Sequence, residues 1–150
     1  MGAKFGVRSA GIIIKNNKVL MQKRRGDEFF ALPGGGVEKE EFSTVALKRE
    51  FIEECGEANF SIERLLFICE CKFNFKGESF QQIGFYYLLN PNKGFSLDRF
   101  DEFDGIEKDK DIIYKWIDLN NIENEKIKPD FLKKYLNNLP MQTTHILIEE

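Results

Sequence analysis

Three glutamates, Glu50, Glu53 and Glu54, stand at spacings i, i+3 and i+4 in a stretch of helical periodicity, and a glycine triplet, Gly34-Gly35-Gly36, precedes them. On an ideal helix the three carboxylates fall within an arc of roughly 100°, so they share one face. Clustered carboxylate oxygens suit a hard divalent cation, Mg2+ or Mn2+. Residues without a Cβ let the backbone approach a ligand closely. Together these are the parts of a pyrophosphate-metal site. A solvated acidic helix face is the commoner origin of such a pattern, but the placement of charge argues against it here. Glu50 faces Glu54 and Glu53 faces Glu57 at i,i+4, like-charge pairs that each destabilise a helix by roughly 0.2–0.5 kcal/mol. The cluster also sits at the helix C-terminus, where the macrodipole disfavours negative charge. A bound cation removes both penalties.

The elements that must position these groups can be read from periodicity. A helix is predicted from about Ser43 to Cys55, with Ser43 as N-cap and Gly56 as left-handed C-cap. Leu47, Phe51, Cys55, Ile52 and Val45 are expected on the side that packs on a sheet, with small Ala46 among the carboxylates and the acids pointing into an open site. Upstream, apolar runs at 4–14 and 19–22 flank Asn16-Asn17 and read as a hairpin. A charged turn at Arg24-Arg25-Gly26-Asp27 follows, then a short strand from Phe29 to Leu32 that ends at Pro33 and the glycines. Residues 62–75 and 79–89 around Lys76-Gly77-Glu78 form a second hairpin of long, aromatic-rich strands. Residues 90–110 are polar and acidic and read as a long loop, functional or mobile. A strand from Ile112 to Leu119, a short helix near Ile122 to Lys126 and a helix from Asp130 to about Asn138 complete the chain. The order gives an α/β class fold, an α/β/α layered architecture on a central mixed sheet, in one domain over residues 1–150.

Composition narrows the partners. The chain carries a net charge of -3, and phosphate-backbone binding needs a basic face, so a nucleic acid polymer is not expected. Cys55, Cys69 and Cys71 form no CxxC pair and are odd in number, which points to a reducing compartment. No secretory leader and no apolar run of about 18 residues is present, so no membrane partner is expected and the cytoplasm is the default location. The one histidine, His145, lies far from the motif in sequence, which disfavours histidine base catalysis.

Gly35, Glu41, Arg49, Glu50, Phe51, Glu53, Glu54 and Gly56 fit the pattern G-x5-E-x7-R-E-U-x-E-E-x-G-U, with U a bulky apolar residue. The chain therefore resembles the Nudix hydrolases, and the order of hairpin, Leu-Pro-Gly-Gly-Gly lead-in, motif, long hairpin, Trp116-containing strand and terminal helix extends the resemblance over most of its length. Three positions depart from the pattern. Glu57 replaces the final apolar residue, Phe51 stands for the usual aliphatic one, and Glu40 occupies a position where many members have glycine. None removes a charged group of the motif.

The resemblance implies Mg2+-dependent hydrolysis, Mn2+ being compatible, of a small nucleoside diphosphate linked to another moiety, such as a nucleoside triphosphate, ADP-ribose or nucleotide sugar. Such cations neutralise the diphosphate, polarise the attacked phosphoryl group and lower the pKa of a bound water. By the same resemblance Glu50, Glu53 and Glu54 are metal ligands, with Glu53 the first choice for contact with the attacking water. Arg49 orients the carboxylates, Glu41 fixes the loop or binds metal through water, and Gly35 and Gly36 approach phosphate or metal. A further acid would come from the later loop, Glu107 or Asp109 before Glu102, Asp104 or Asp111. Arg8, Arg24 and Phe30 are the candidates for substrate binding, with Gln82, Phe85 and Tyr87 on the second hairpin. The rival readings are a Nudix-like binding or sensor module that does not cleave, and trimming of RNA 5′ ends, which the acidic charge disfavours. A homodimer is left open.

Overall fold

Asn16 and Asn17 both adopt left-handed backbone conformations, φ 53° and 61°, as a two-residue hairpin turn of type I′ requires. They join β1 (Lys4–Lys15) to β2 (Lys18–Arg24). Lys76 and Gly77, at φ 51° and 81°, do the same between β4 (Phe60–Phe75) and β5 (Glu78–Pro91). In the computed structural model, which describes residues 3–150, these hairpins lie side by side because β1 runs parallel to β5, from Lys4 opposite Phe80 to Ile13 opposite Leu89. With β6 (Glu102–Asp104), β7 (Ile112–Asp118) and β8 (Thr144–Glu149), they form a mixed sheet of order β6-β7-β2-β1-β5-β4-β8.

The glycine triplet forms a short strand. β3 (Gly34–Gly36) pairs antiparallel with Arg8–Ala10 of β1, filling an edge that β2 leaves open, since β2 pairs β1 only at Ile14 and Lys15. At Gly34, φ is 155° and a Cβ would stand 2.0 Å from the Ser9 carbonyl oxygen. Only glycine lets the backbones come this close.

Two cores lie on opposite faces of the sheet. On one, α1 (Ser43–Cys55) inserts Leu47 and Phe51 among Ile13, Leu20, Phe60, Leu89 and Trp116. On the other, Ile12, Met21, Leu66, Phe67 and Tyr86 pack beneath a 3-10 helix (Leu119–Asn124), Ile127 and the single turn of α2 (Leu132–Tyr135). This is the α/β class expected, on a central mixed sheet, with a thin second helical layer. Among the described residues, no helix is long and apolar enough to cross a membrane.

Several local expectations are corrected. The segment Phe29–Leu32 makes only isolated bridges, Gln22 with Ala31 on the edge of β2 away from β7 and Phe30 with Ile127. The region 90–110 contains β6, which doubles the edge of β7. The helix expected at 130–138 is reduced to α2, since its apolar residues serve a small patch, and the one near Ile122 is a 3-10 helix starting at Leu119. β8 was not expected; it adds in parallel to β4. Phe42, not Ser43, is the N-cap of α1, and no side chain caps it. Ser43 instead shares a hydrogen bond of 2.6 Å with the Tyr87 hydroxyl. Val45 and Ile52 are exposed, because the buried arc of α1 is centred between Glu50, Glu54, Leu47 and Phe51, and these two residues point the other way.

Candidate active site

Glu50 and Glu54 are on the buried face of α1, only 6% and 4% exposed. Two carboxylates in such a place need compensation, and the neighbouring elements supply it. Tyr114 on β7 donates its hydroxyl to Glu54 Oε2 at 3.1 Å. Lys110, just before β7, places its Nζ 3.0 Å from Glu54 Oε1 and 3.9 Å from Glu50 Oε2. Arg49 donates to Glu50 Oε1 at 3.0 Å. Glu50 Oε2 remains buried without a hydrogen-bond partner. Burial pushes the Glu50 carboxyl above the usual carboxylate range, with the Glu54 charge adding to it and the Arg49 hydrogen bond opposing. Burial also works against the charge of Lys110, but the bond to Glu54 and the charges of Glu50 and Glu107 outweigh it and raise its pKa.

Arg49 is the hub of the loop that leads into α1. It grips Glu41 through both carboxylate oxygens, at 2.7 and 3.0 Å, and donates to the Gly36 carbonyl at 2.9 Å. Its remaining contacts go to Glu50 and, at 3.3 Å, to Glu53. A planar guanidinium can make these bonds together where an ammonium could not. The Arg49 bonds hold Glu41 below the usual carboxylate range, and Arg49 is raised in return, chiefly by Glu41. Glu41 Oε1 also accepts from the Glu38 amide, which closes the loop over Glu40, itself left-handed at φ 64°. Glu40 thus holds a conformation more natural to glycine.

Beside the carboxylate pair opens a cleft of about 510 Å³. Gly34, Gly35, Glu50 and Glu54 form its floor, Phe29 and Phe75 its apolar surface, and Arg8, Lys23, Arg24, Lys76 and Lys110 its cations, against one further acid, Asp27. Gly35 is required by packing: a Cβ there would lie 2.2 Å from Glu50 Cδ.

Of the residues singled out from the sequence, Glu50, Glu54, Gly35, Arg8 and Arg24 meet in this cleft. Glu53 is largely exposed, turned toward Arg49, and not among the cleft residues. Gly36 lies in a smaller adjoining depression with Arg8 and Gln82. Phe30 turns into the core, with Lys23 Nζ 4.8 Å above its ring, and its neighbour Phe29 faces the cleft instead. Phe85 and Tyr87 pack beneath α1. Asp104 and Asp111 are engaged with Arg25, Glu107 with Lys110 at 3.5 Å, while Glu102 and Asp109 are not among the cleft residues. Lys110, Tyr114, Lys76 and Phe75 went unnoticed in the sequence; the alternation along β7 that puts Tyr114 on the face of Leu20 and Trp116 was the available signal for one of them.

Among the described residues no three His, Cys, Asp or Glu side chains are already gathered at ligating distance. The orphaned Glu50 oxygen, the all-oxygen chemistry of Glu50 and Glu54, and the cationic Lys110 group drawn between them nonetheless fit a hard cation.

Glu57, the departure at the end of the motif, accepts from the Ser96 amide at 3.0 Å and from the Ser96 hydroxyl. It ties the loop after β5 to the end of α1, where an apolar residue would only pack.

The chain shows clear likenesses to known proteins. It is 30% identical over 141 residues to an 8-oxo-dGTP diphosphatase of Buchnera aphidicola, covering 91% of this chain and 86% of that one. A shorter match, 51% identical over 49 residues, relates it to an ADP-ribose pyrophosphatase of Methanocaldococcus jannaschii, covering 31% of this chain and 29% of that protein. In three dimensions it superposes on the MutT protein of Bacillus halodurans with a TM-score of 0.65 at 15% identity, over 93% of this chain and 89% of that one. A sequence profile of the NUDIX domain matches residues 6–139; the chain belongs to that family, and it is a Nudix pyrophosphohydrolase.

Proposed function

We propose that this enzyme hydrolyses the pyrophosphate linkage of a small nucleotide with Mg2+, and that a nucleoside triphosphate is its substrate class. The observation that carries the reading is the cleft itself, a buried carboxylate pair edged by five cations beside two accessible aromatic rings. A chain of phosphates presents several negative charges in a row, which such cations recognise. Phe29 and Phe75 are the aromatic groups on which a base would stack, in exchange for the Lys128 and Lys76 ammonium groups that stand 5.0 and 4.9 Å from their ring centroids. The name carried by the 30% identical relative, an 8-oxo-dGTP diphosphatase, supports a triphosphate. The short match to an ADP-ribose pyrophosphatase favours ADP-ribose as the second candidate.

Glu50 and Glu54 would hold the cation, with Glu53 swinging from Arg49 to complete the set and to orient the attacking water. When bound, Mg2+ supplies charge neutralisation and polarisation of the phosphoryl group. Tyr114 and Arg49 fix the carboxylates by hydrogen bonds to one oxygen of each. Gly34 and Gly35 let the substrate approach β3, and Arg8, Arg24 and Lys76 steady the phosphates. Glu107, beside Lys110, is the candidate for a further acid.

A panel of nucleoside triphosphates, ADP-ribose, nucleotide sugars and dinucleoside polyphosphates, with Mg2+ or Mn2+ and product identification, tests this. Mg2+-dependent release of a nucleoside monophosphate is expected, fastest from triphosphates, and Glu53→Gln should cut turnover by about 10²-fold or more. Saturable nucleotide binding with no cleavage across the panel would instead favour a non-catalytic binding module.

A further inference from the structure

Lys110 occupies the place a divalent cation would take. Its ammonium lies within 4 Å of Glu50, Glu54 and Glu107. The backbone that carries it is pinned on both sides. Ile106 N donates to the Glu54 carbonyl at 2.8 Å, Gly105 N to the Ile112 carbonyl at 2.8 Å, and Arg25 N to the Asp111 carbonyl at 2.9 Å. The Arg25 guanidinium adds bonds to Asp104 and Asp111. The loop therefore stays where it is, and what can move is the flexible four-carbon stem of the side chain. It has room to do so, because Lys110 is itself a wall of the open cleft.

We infer that Lys110 is a tethered counter-cation that alternates with the divalent metal on the Glu50–Glu54 seat and so sets the metal concentration at which the enzyme switches on. The inference rests on the metal role proposed for those carboxylates. An ammonium and a divalent ion repel strongly at such separations, so the seat holds one or the other. Metal affinity is then reduced by the fraction of time the seat is free; a seat held by Lys110 nine parts in ten gives about a tenfold weakening. Once displaced, the ammonium remains in the cleft with Arg24 and Lys76, so metal loading also delivers a cation to the phosphates.

The test is Mn2+ binding to the substrate-free protein, followed by electron paramagnetic resonance, in wild type, Lys110→Met, Lys110→Gln and Lys110→Arg, together with thermal unfolding in chelator and in Mn2+. Lys110→Met and Lys110→Gln should bind Mn2+ about tenfold more tightly than wild type, and should show the larger upward shift of Tm on adding Mn2+, because the metal then relieves an uncompensated carboxylate pair. Lys110→Arg should stay close to wild type. Equal or weaker affinity in both neutral variants, with wild type binding Mn2+ normally, would overturn the role of Lys110 alone. No Mn2+ binding in any of the four proteins would overturn the metal seat and this inference with it.

Discussion

A methyl group added at Gly35 would stand 2.2 Å from Glu50 Cδ and 2.5 Å from each of its carboxylate oxygens. Ordinary contacts between such atoms are about 3.5–4.0 Å, so in Gly35→Ala the carboxylate must retreat by more than about 1 Å. It has little room, being bonded to Arg49 and enclosed beside Glu54 and Lys110. The backbone, by contrast, tolerates alanine, since Gly35 pairs as an ordinary strand residue with Ser9. Replacing glycine at a compatible position gains about 0.4–1 kcal/mol through the unfolded chain, and crowding Glu50 costs about 1–3 kcal/mol. Stability should thus fall by no more than about 2.6 kcal/mol, which leaves the protein folded, while catalysis falls as well. Displacing a positioned group by about 1 Å costs roughly 10²-fold in rate, equivalent to about 2.7 kcal/mol of barrier. Initial rates of nucleotide hydrolysis and urea unfolding of the same preparation separate the two effects. A folded Gly35→Ala protein with turnover within about threefold of wild type would refute the claim that the Glu50 carboxylate position matters.

Three further outcomes are expected. Arg49→Lys keeps the charge but loses the fork that holds Glu41, Glu50 and the Gly36 carbonyl together, so kcat should fall by about 10²-fold; an unchanged rate would remove Arg49 from the positioning role. Tyr114→Phe deletes the buried donor to Glu54 and should lower unfolding free energy by about 1.5–3 kcal/mol in chelator, measured by denaturant titration, with less of a loss in saturating Mg2+. Burial pushes the Cys55 and Cys69 thiols up to about 12 from a usual value of 9.0. They should therefore resist thiol reagents at pH 8 until the protein unfolds. For a raised folded-state pKa the unfolded chain ionises first, so this contribution to stability is intact below about pH 9 and declines as pH rises from there toward about 12. Rapid labelling of Cys69 in the native protein at pH 8 would contradict its burial, while Cys55, half-buried, should label more slowly than in the unfolded chain.

Much of the site was legible because its signal is local. The like-charge spacing of Glu50, Glu53 and Glu54 lies within one helix, and the left-handed Gly56 cap and the Asn16-Asn17 turn announce themselves through residues that tolerate positive φ. What stayed hidden depends on distant partners. The strand character of Gly34–Gly36 comes from an edge of β1 that β2 abandons. Helix periodicity alone did not separate the exposed Val45 and Ile52 from the buried Glu50 and Glu54, since burying carboxylates is sensible only when Tyr114, Lys110 and Arg49 meet them. Lys110 lies 56 residues from Glu54 in sequence, within a stretch that reads simply as a charged loop. Phe29 and Phe30 are adjacent and chemically identical, and only the bridge of Phe30 to Ile127 decides which one faces the cleft.

In the proposed mechanism the Glu50–Glu54 pair is the metal seat of a pyrophosphate hydrolase. The most direct measurement is Mg2+-dependent hydrolysis of a nucleoside triphosphate by wild type and by Glu50→Gln, with the fold of each checked by circular dichroism. The seat predicts a folded variant whose turnover is lower by about 10³-fold, roughly 4 kcal/mol of barrier. A folded Glu50→Gln enzyme that turns over at the wild-type rate, with the same Mg2+ dependence, would contradict it.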